Sequence, residues 1–325
     1  MRKDLIKEAL QNISELRSED RSEKSLVLLS KIIKKHEGVV VAKAAELAAE
    51  WNATDLAQDL HEAFYRLSQE GLEHDSQCWG KVAIIKALYE LAWQDSKVFI
   101  QGCKTMQLEP VFGGKQDSAV SVRIASIQAL LQLPVSDTSV VMSILADLLA
   151  DPSHKVRAEA ARVCIYTQPE LVRPLLRLKI RVGDVESRVL GVCFDSLLML
   201  DSSLEAIALI LEYAYSPNEV LRAEALASLA SSSLNEAITT VTQIYPKLKD
   251  IQLRRILLTS LGVSSRPEAF IFLCERLREG DAQEAKWALE ALKSKGHDEE
   301  SKSQITKELR QRNDDALLKL YQKLI

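Results

Sequence analysis

Apolar residues recur along most of the chain at intervals of three or four positions, which is the spacing of one face of an α-helix. In the clearest example this apolar face is made by Val156, Ala160, Ala161 and Val163. Residues 151–153, with the sequence Asp-Pro-Ser, come just before it. Asp and Ser side chains accept hydrogen bonds from the free N–H groups of a helix start, and proline suits the preceding turn. The pattern therefore predicts a turn that leads into a closely packed helix.

This turn and helix are repeated along the chain. Each strong copy carries a basic residue near the start of its helix, and these anchors are Arg123, Arg157, Arg188, Arg222, Arg254 and Lys286. They are separated by 34, 31, 34, 32 and 32 residues. Weaker copies surround Lys43 and Lys81. A period in the low thirties with two helices per unit indicates an all-α superhelix of stacked helical hairpins, about eight of them in this length.

The periodic segments also predict individual helices. In the N-terminal part the predicted helices are 2–17, 26–35, 39–51, 53–67 and 78–93. Downstream, the predicted first helices of the hairpins are 138–149, 169–180, 204–213, 236–248, 267–278 and 299–311, and a final helix is predicted at 314–325.

The anchors and their turns resemble the HEAT-repeat family, whose units carry an Asp in the turn and Val-Arg at the start of the second helix. The resemblance covers most of the chain and is strongest from about residue 117 to 294. It implies a ladder of charge-assisted hydrogen bonds between turn Asp and helix Arg in successive repeats. The acidic members would be Asp117, Asp151, Asp184, Asp250 and Asp281, and the basic members Arg123, Arg157, Arg188, Arg222 and Arg254. Because Asn218 replaces one Asp and Lys286 the last Arg, we expect the ladder to loosen toward the C-terminus.

The repeats divide the chain into three predicted parts. Residues 1–103 hold three of the four tryptophans and are predicted to be divergent hairpins that cap the array. Residues 104–118 account for a longer gap of 42 residues between Lys81 and Arg123, and are predicted to be an irregular insertion loop. Residues 119–325 are predicted to be HEAT-like repeats with a C-terminal cap helix. Loops of this kind often carry binding, but the sequence leaves open whether 104–118 does.

Composition narrows the class of protein. Apolar residues at 47% and charged residues at 27% are typical of a soluble globular protein. No apolar run reaches the ~18 residues that a transmembrane helix requires, and the first residues lack the apolar core of a signal peptide. These features predict a cytoplasmic protein. A formal net charge of −4 predicts no strong general attraction to nucleic acid or acidic membranes.

The residue types that build metal and catalytic sites are scattered. Five cysteines without a C-x-x-C pair argue against a disulfide framework and a zinc site, and Cys164 and Cys193 fall at apolar helix positions. The His-Glu pairs at 36–37 and 61–62 do not occupy matching repeat positions. The sequence therefore predicts no catalytic residue, no metal and no cofactor.

The best candidate for a binding surface is the concave wall that second helices form in such arrays. Positions one and five after each anchor should face this wall, and most of them are small or apolar, such as Val189 and Cys193. The candidate binding residues among them are Lys86, Gln128, Arg162, Arg255, Thr259 and Trp287. A wall with isolated cations suits a protein or peptide better than a phosphate backbone, which requires rows of Lys and Arg. Oligomeric state is left open.

We therefore predict a non-catalytic scaffold that binds a protein or peptide. The alternatives are HEAT-like proteins with an enzyme-like role: a DNA glycosylase-like protein, suggested only by Arg162, Arg255 and Trp287, and a bilin lyase-like protein, against which the residues alone do not decide. One basic cluster is interpreted as a solvated helix face, with an anionic partner as the alternative. It consists of Arg173, Arg177, Lys179 and Arg181.

Overall fold

Helices account for nearly all of the regular structure. A computed structural model describes residues 2–18, 21–133, 137–293 and 299–322, and these residues form nineteen α-helices and one two-stranded β-hairpin. Short 3-10 segments lie at several helix ends. The predicted all-α class is confirmed.

The chain folds as two compact units, Met1–Tyr166 and Thr167–Ile325. In the first unit, helix α1 (Arg2–Ser18) is followed by four helical hairpins. These pair α2 (Glu23–Lys35) with α3 (Gly38–Glu50), α4 (Ala57–Glu70) with α5 (Trp79–Glu90), α6 (Ser96–Cys103) with α7 (Val120–Leu130), and α8 (Thr138–Leu149) with α9 (His154–Val163).

The second unit is built in the same way. Three of its hairpins pair α10 (Pro169–Val182) with α11 (Ser187–Leu200), α12 (Leu204–Tyr213) with α13 (Glu219–Ser231), and α16 (Pro267–Glu279) with α17 (Ala282–Leu292). In the remaining hairpin, α14 (Asn235–Ile244) leads through a 3-10 turn to α15 (Ile251–Leu261), and both helices pack mainly on the neighbouring hairpins. Helices α18 (Glu299–Arg312) and α19 (Asp315–Gln322) follow. The described residues thus contain eight stacked hairpins in two sets of four, the number that the repeat period predicted.

Within each unit the second helices of successive hairpins pack side by side, α3 to α9 in the first and α11 to α17 in the second. Small residues make this possible. In α3, Ala44, Ala45 and Ala48 are completely buried, and Gly38 at its start lies against Gly80 of α5. Because close packing of small residues brings these helices together, the second helices form a continuous layer within each unit.

The contact between α3 and α5 gives a first prediction. A Cβ atom at Gly80 would lie 2.7 Å from Cα of Gly38 and 2.7 Å from Cδ1 of Leu67. Replacing a helical glycine with alanine normally stabilises a helix, but here we expect Gly80→Ala to lower the free energy of unfolding by about 1–3 kcal/mol through overpacking. Urea denaturation followed by circular dichroism measures the change. Gly114→Ala is the control, since its Cβ would meet nothing within 4 Å. A neutral or stabilising Gly80→Ala would show that the two helices are less tightly packed.

The insertion at 104–118 is not the irregular loop that the sequence predicted. It contains strands β1 (Leu108–Val111) and β2 (Gly114–Asp117), which pair antiparallel with Leu108 opposite Asp117. The two-residue turn between them ends at Gly113, whose φ of +88° favours glycine. Helix α6, just before the insertion, was also absent from the prediction.

The other predicted helices agree with the structure to within a few residues. The helices predicted at 138–149 and 204–213 are found with these bounds as α8 and α12. The helix predicted at 236–248 ends earlier, at Ile244, and continues as a 3-10 turn. The last predicted helix extends beyond the described residues at 323–325.

The structure also bears on two predictions about the class of protein, which concern its cysteines and membrane-spanning helices. All five cysteines are buried and form no disulfide bond, and burial was predicted for Cys164 and Cys193. In the part of the chain that the structure describes, no helix combines the length and apolar character needed to cross a lipid bilayer.

Candidate functional site

The second helices of the first unit line a groove of about 1340 Å³. Its sides come from α3, α5 and α7, and it is closed by the end of β2 and the start of α9. Its apolar lining residues include Val39, Ala42, Val82, Ala83, Val120 and Ile124. The indole of Trp79 also lines the groove, and this residue is 58% exposed. An exposed tryptophan in an apolar groove provides a large contact surface for a ligand.

The structure places three of the candidate binding residues in the first unit, and only Lys86 lines the groove. Gln128 donates a hydrogen bond from Nε2 to Oε1 of Glu159 over 2.7 Å. Arg162 forms an ion pair with the same Glu159. Gln128 and Arg162 are therefore held together by one carboxylate on α9, away from the residues that line the groove.

The remaining candidate residues lie in the second unit, where Arg255 and Thr259 are exposed on α15 and Trp287 is half-buried on α17. The hydroxyl of Thr259 donates to the carbonyl of Arg255 over 2.9 Å. In α11 the two positions that were assigned to the concave wall do not face an open surface. Val189 and Cys193 are only 1% and 0% exposed. Helix α11 contacts α10, α12 and α13, which leaves no open side at these residues.

Sequence analysis missed part of the groove. Three lining residues stand two positions before an anchor: Trp79, Ser121 and Lys155. They were missed because only positions one and five after each anchor were assigned to the wall. Their common place in the repeat is the signal that could have identified them.

A chain of buried polar contacts runs behind the groove in the first unit. It begins at Asp75, whose carboxylate accepts the backbone N–H groups of Gly80 and Lys81 over 2.8 and 3.1 Å. The ammonium of Lys81 lies 2.9 Å from Asp75, and both side chains are at most 1% exposed. Lys81 also donates to Oε1 of Gln107 over 3.0 Å, which connects this repeat to the β-hairpin.

The next repeat contains the expected pairing of turn Asp and helix Arg. The guanidinium of Arg123 donates from Nη2 to Asp117 over 2.7 Å, and its Nε lies 2.8 Å from Oδ2 of Asp151. Nη1 donates to the carbonyl of Thr105 over 2.9 Å. Arg123 is 1% exposed and so joins two repeats through a buried charge. Arg157 donates to the backbone carbonyl of Asp151 over 2.8 Å.

In the second unit the basic residues of the expected ladder differ from Arg123 in their exposure and in their hydrogen-bond partners. Arg188 is exposed, and Arg222 donates to the carbonyl of Ser216 over 3.2 Å. Arg254 does connect two repeats, but its carboxylate partner is Glu284, at 2.8 Å, rather than Asp281.

The acidic members in this unit mostly cap helices. Asp250 accepts the N–H groups of Gln252 and Leu253, and Asp281 caps α17 in the same way. Asp184 is 2.8 Å from the ammonium of Lys179. Asp250 and Asp281 thus stabilise the starts of α15 and α17.

Glu109 fastens the β-hairpin to the edge of the groove. It is 4% exposed and accepts hydrogen bonds from the backbone N–H of Gln77 over 2.6 Å and from the hydroxyl of Ser118 over 2.6 Å. The side-chain amides of Gln77 and Gln107 donate to it over 2.9 and 2.8 Å. Gln77 and Cys78 have φ values of +58° and +54°, a strained conformation that these bonds help to hold. No feature of the sequence marked Glu109.

The Glu109 contacts predict a pH-dependent stability. Burial raises the pKa of Glu109, but the bonds from Ser118, Gln107 and Gln77 outweigh it and hold the pKa below its usual value. A carboxylate with a depressed folded-state pKa stabilises the protein above its unfolded-state pKa, and this contribution is lost as pH falls through the folded value. At pH 7 we expect Glu109→Gln to lower the free energy of unfolding by about 2 kcal/mol. The loss should shrink at pH values below about 4.

Urea denaturation at pH 7 and at low pH measures this difference. The matched control is Glu90→Gln, which changes an exposed glutamate on α5 and should have little effect at either pH. A Glu109→Gln effect of the same size at both pH values would show that the carboxylate charge is not what the donors stabilise.

The basic cluster on α10 is largely neutralised by acidic neighbours. Arg181 forms an ion pair with Glu212 at 2.6 Å, and Lys179 pairs with Asp184. Arg173 lies 4.0 Å from Asp201. The cluster is therefore a poor candidate for an anion site, in line with its interpretation as a solvated helix face.

None of the histidines that the structure describes joins a metal-binding group. Among the described residues, no three His, Cys, Asp or Glu side chains are arranged to hold a metal ion. His61, from one of the His-Glu pairs, packs against the rings of Tyr65 and Trp93 at centroid distances of 5.1 and 5.3 Å.

Comparison with known proteins adds little to this geometry. No family model matches the chain, and no curated protein sequence matches it. Among solved structures, the chain is similar to a designed armadillo repeat protein in complex with the peptide (KR)4. The two share 17% identity over 93% of this chain and 98% of the other, with a TM-score of 0.20. At this score the similarity assigns neither a family nor a function.

Proposed function

We propose that this protein is a cytoplasmic, non-catalytic scaffold of HEAT type that binds an extended segment of a partner protein in the groove of the first unit. The observation that carries the proposal is the groove itself, which three second helices line with apolar side chains and an exposed Trp79. A concave, mostly apolar site with a few polar groups is the usual form of a binding site.

The width of the groove suits a short extended segment. Packed helix axes are about 8–10 Å apart, so crossing from α3 to α9 covers about 24–30 Å. An extended chain advances about 3.3 Å per residue, which corresponds to about eight residues. The polar side chains of Gln77, Gln116 and Ser121 line the same groove and can bond to the backbone of such a segment.

The charges in the groove favour a polypeptide over DNA. Four carboxylates line it, those of Glu46, Glu50, Glu90 and Asp117, beside three lysines. A protein that follows a phosphate backbone requires an excess of cations along its surface. This groove therefore lacks the basic wall that a glycosylase-like protein needs.

Selection from an unbiased random peptide display library tests the proposal. Selected peptides are then measured by fluorescence anisotropy against two variants of α5, Trp79→Ala in the groove and Tyr89→Ala as the control. Tyr89 is 49% exposed on the same helix but does not line the groove. We expect Trp79→Ala to weaken binding at least about tenfold and Tyr89→Ala to leave it unchanged. Selection of no peptide, or of peptides that bind both variants equally, would overturn the proposal.

A further inference from the structure

We infer that the segment bound in this groove is acidic, with carboxylates that meet Lys86 and Lys155. This inference rests on the proposed function, because it concerns the ligand of the same groove. It follows from which of the charges in the groove are already paired within the protein.

The two glutamates of α3 are neutralised by basic neighbours. Glu46 forms an ion pair with Lys43 at 2.8 Å, and Glu50 forms one with Arg17 of α1 at 2.8 Å. Arg17 also lies 3.9 Å from Glu46. These two carboxylates and their partners thus add little net charge to this side of the groove.

Asp117 is bound to the buried guanidinium of Arg123, which it shares with Asp151. Its Oδ2 accepts the short bond from the buried guanidinium of Arg123, and its Oδ1 accepts the backbone N–H groups of Ala119 and Gln107 over 2.9 and 3.3 Å. The burial of Asp117 raises its pKa, but these bonds outweigh the effect and hold the pKa below its usual value. The Asp117 carboxylate is therefore occupied by contacts within the protein and is not available to a ligand in the groove.

Two lysines in the groove have no such partner. Lys86, on α5, and Lys155, at the start of α9, are exposed, and no carboxylate of the described residues lies within 4 Å of either ammonium. His154 is exposed beside Lys155 and also lines the groove. Among the described lining residues, one carboxylate is unpaired, that of Glu90. The charge available to a ligand is therefore net positive, although the protein as a whole is acidic.

The placement of the two lysines also predicts the spacing of the acidic residues. Helices α5 and α9 are separated by α7, so Lys86 and Lys155 are expected to lie at least about 16 Å apart. At about 3.3 Å per residue, a peptide that meets both needs acidic residues about five or more positions apart, with apolar residues between them for Trp79 and Ile124. Charge complementarity of this kind sets specificity as well as association rate.

The test compares peptides that three proteins select from the same random display library. The first is the wild type, the second carries Lys86→Glu with Lys155→Glu, and the third carries Lys31→Glu with Lys35→Glu. Lys31 and Lys35 are exposed on α2 outside the groove, so the third protein has the same net charge as the second. Melting temperatures show whether all three proteins are folded.

We expect the wild type and the α2 variant to enrich Asp and Glu over the starting library, and the groove variant to enrich Lys and Arg. An acidic peptide from the wild-type selection should bind the groove variant at least about tenfold more weakly, and its affinity should fall as salt is raised. Neutral or basic peptides that bind the wild type and depend on Trp79 would overturn this inference and leave the proposed function standing. Selection of no Trp79-dependent peptide would overturn both. A single-stranded oligonucleotide that binds more tightly than the peptides, and only when Lys86 is present, would also overturn the inference.

Discussion

Replacing Arg123 with alanine is expected to lower the free energy of unfolding of the first unit by about 3–5 kcal/mol. The guanidinium is 1% exposed and contacts Asp117, Asp151 and the carbonyl of Thr105. Removing it leaves two carboxylates without their buried cation. Such a loss is larger than the net value of the pair, because the remaining charges stay desolvated.

Arg188→Ala is the matched control, since Arg188 occupies the same place in its repeat but is exposed. Its effect should stay within about 0.5 kcal/mol. Urea denaturation followed by circular dichroism is a suitable measurement, because the helices of both units contribute to the signal. Equal effects of the two substitutions would show that burial of Arg123 between repeats does not stabilise the fold.

Ala160→Asp is expected to cost about 3 kcal/mol or more by placing an unpaired carboxylate in the helix contact at α9. Ala160 is completely buried, so a carboxylate at this position would lose its contact with water. Ala158→Asp is the control, two positions earlier on the same helix, where the residue is only half-buried. A melting temperature of Ala160→Asp that equals the wild-type value would remove this residue from the core.

Much of the fold could be predicted because each hairpin repeats the same local signals. The turn before α9 has an Asp and a Ser, the helix has its apolar residues three and four apart, and both recur with a period in the low thirties. These signals act within a few residues of one another, so they can be recognised without knowledge of the folded structure. The bounds of α8 and α12 were predicted correctly for this reason.

Features that depend on contacts between distant residues were not predicted. The β-hairpin is fixed by Glu109, whose bonds to Gln77 join residues 32 positions apart. Helix α6 has only eight residues, too few to show a clear period. The partner of Arg254 was also not predicted from spacing, because it is Glu284, three positions after the expected Asp281.

The candidate site was likewise predicted only in part. Lys86 was assigned to the groove wall from its place in the repeat, and the structure puts it among the lining residues. Trp79 and Lys155 were not assigned, because they stand at helix starts, where the direction of the side chain depends on how the chain enters the helix. The pairing of Glu46 with Lys43 and of Glu50 with Arg17 decides the free charge of the groove, and a count of charges in the sequence does not reveal such pairings.

The most direct test of the account is hydrogen–deuterium exchange of the full chain with and without a selected peptide, read by mass spectrometry. If the groove of the first unit binds the peptide, backbone amides near Trp79 and at the starts of α7 and α9 should exchange more slowly in the complex. Amides of the first helices α2 and α4, and those of the second unit, should be unchanged. Slower exchange confined to the first helices or to the second unit would contradict the account.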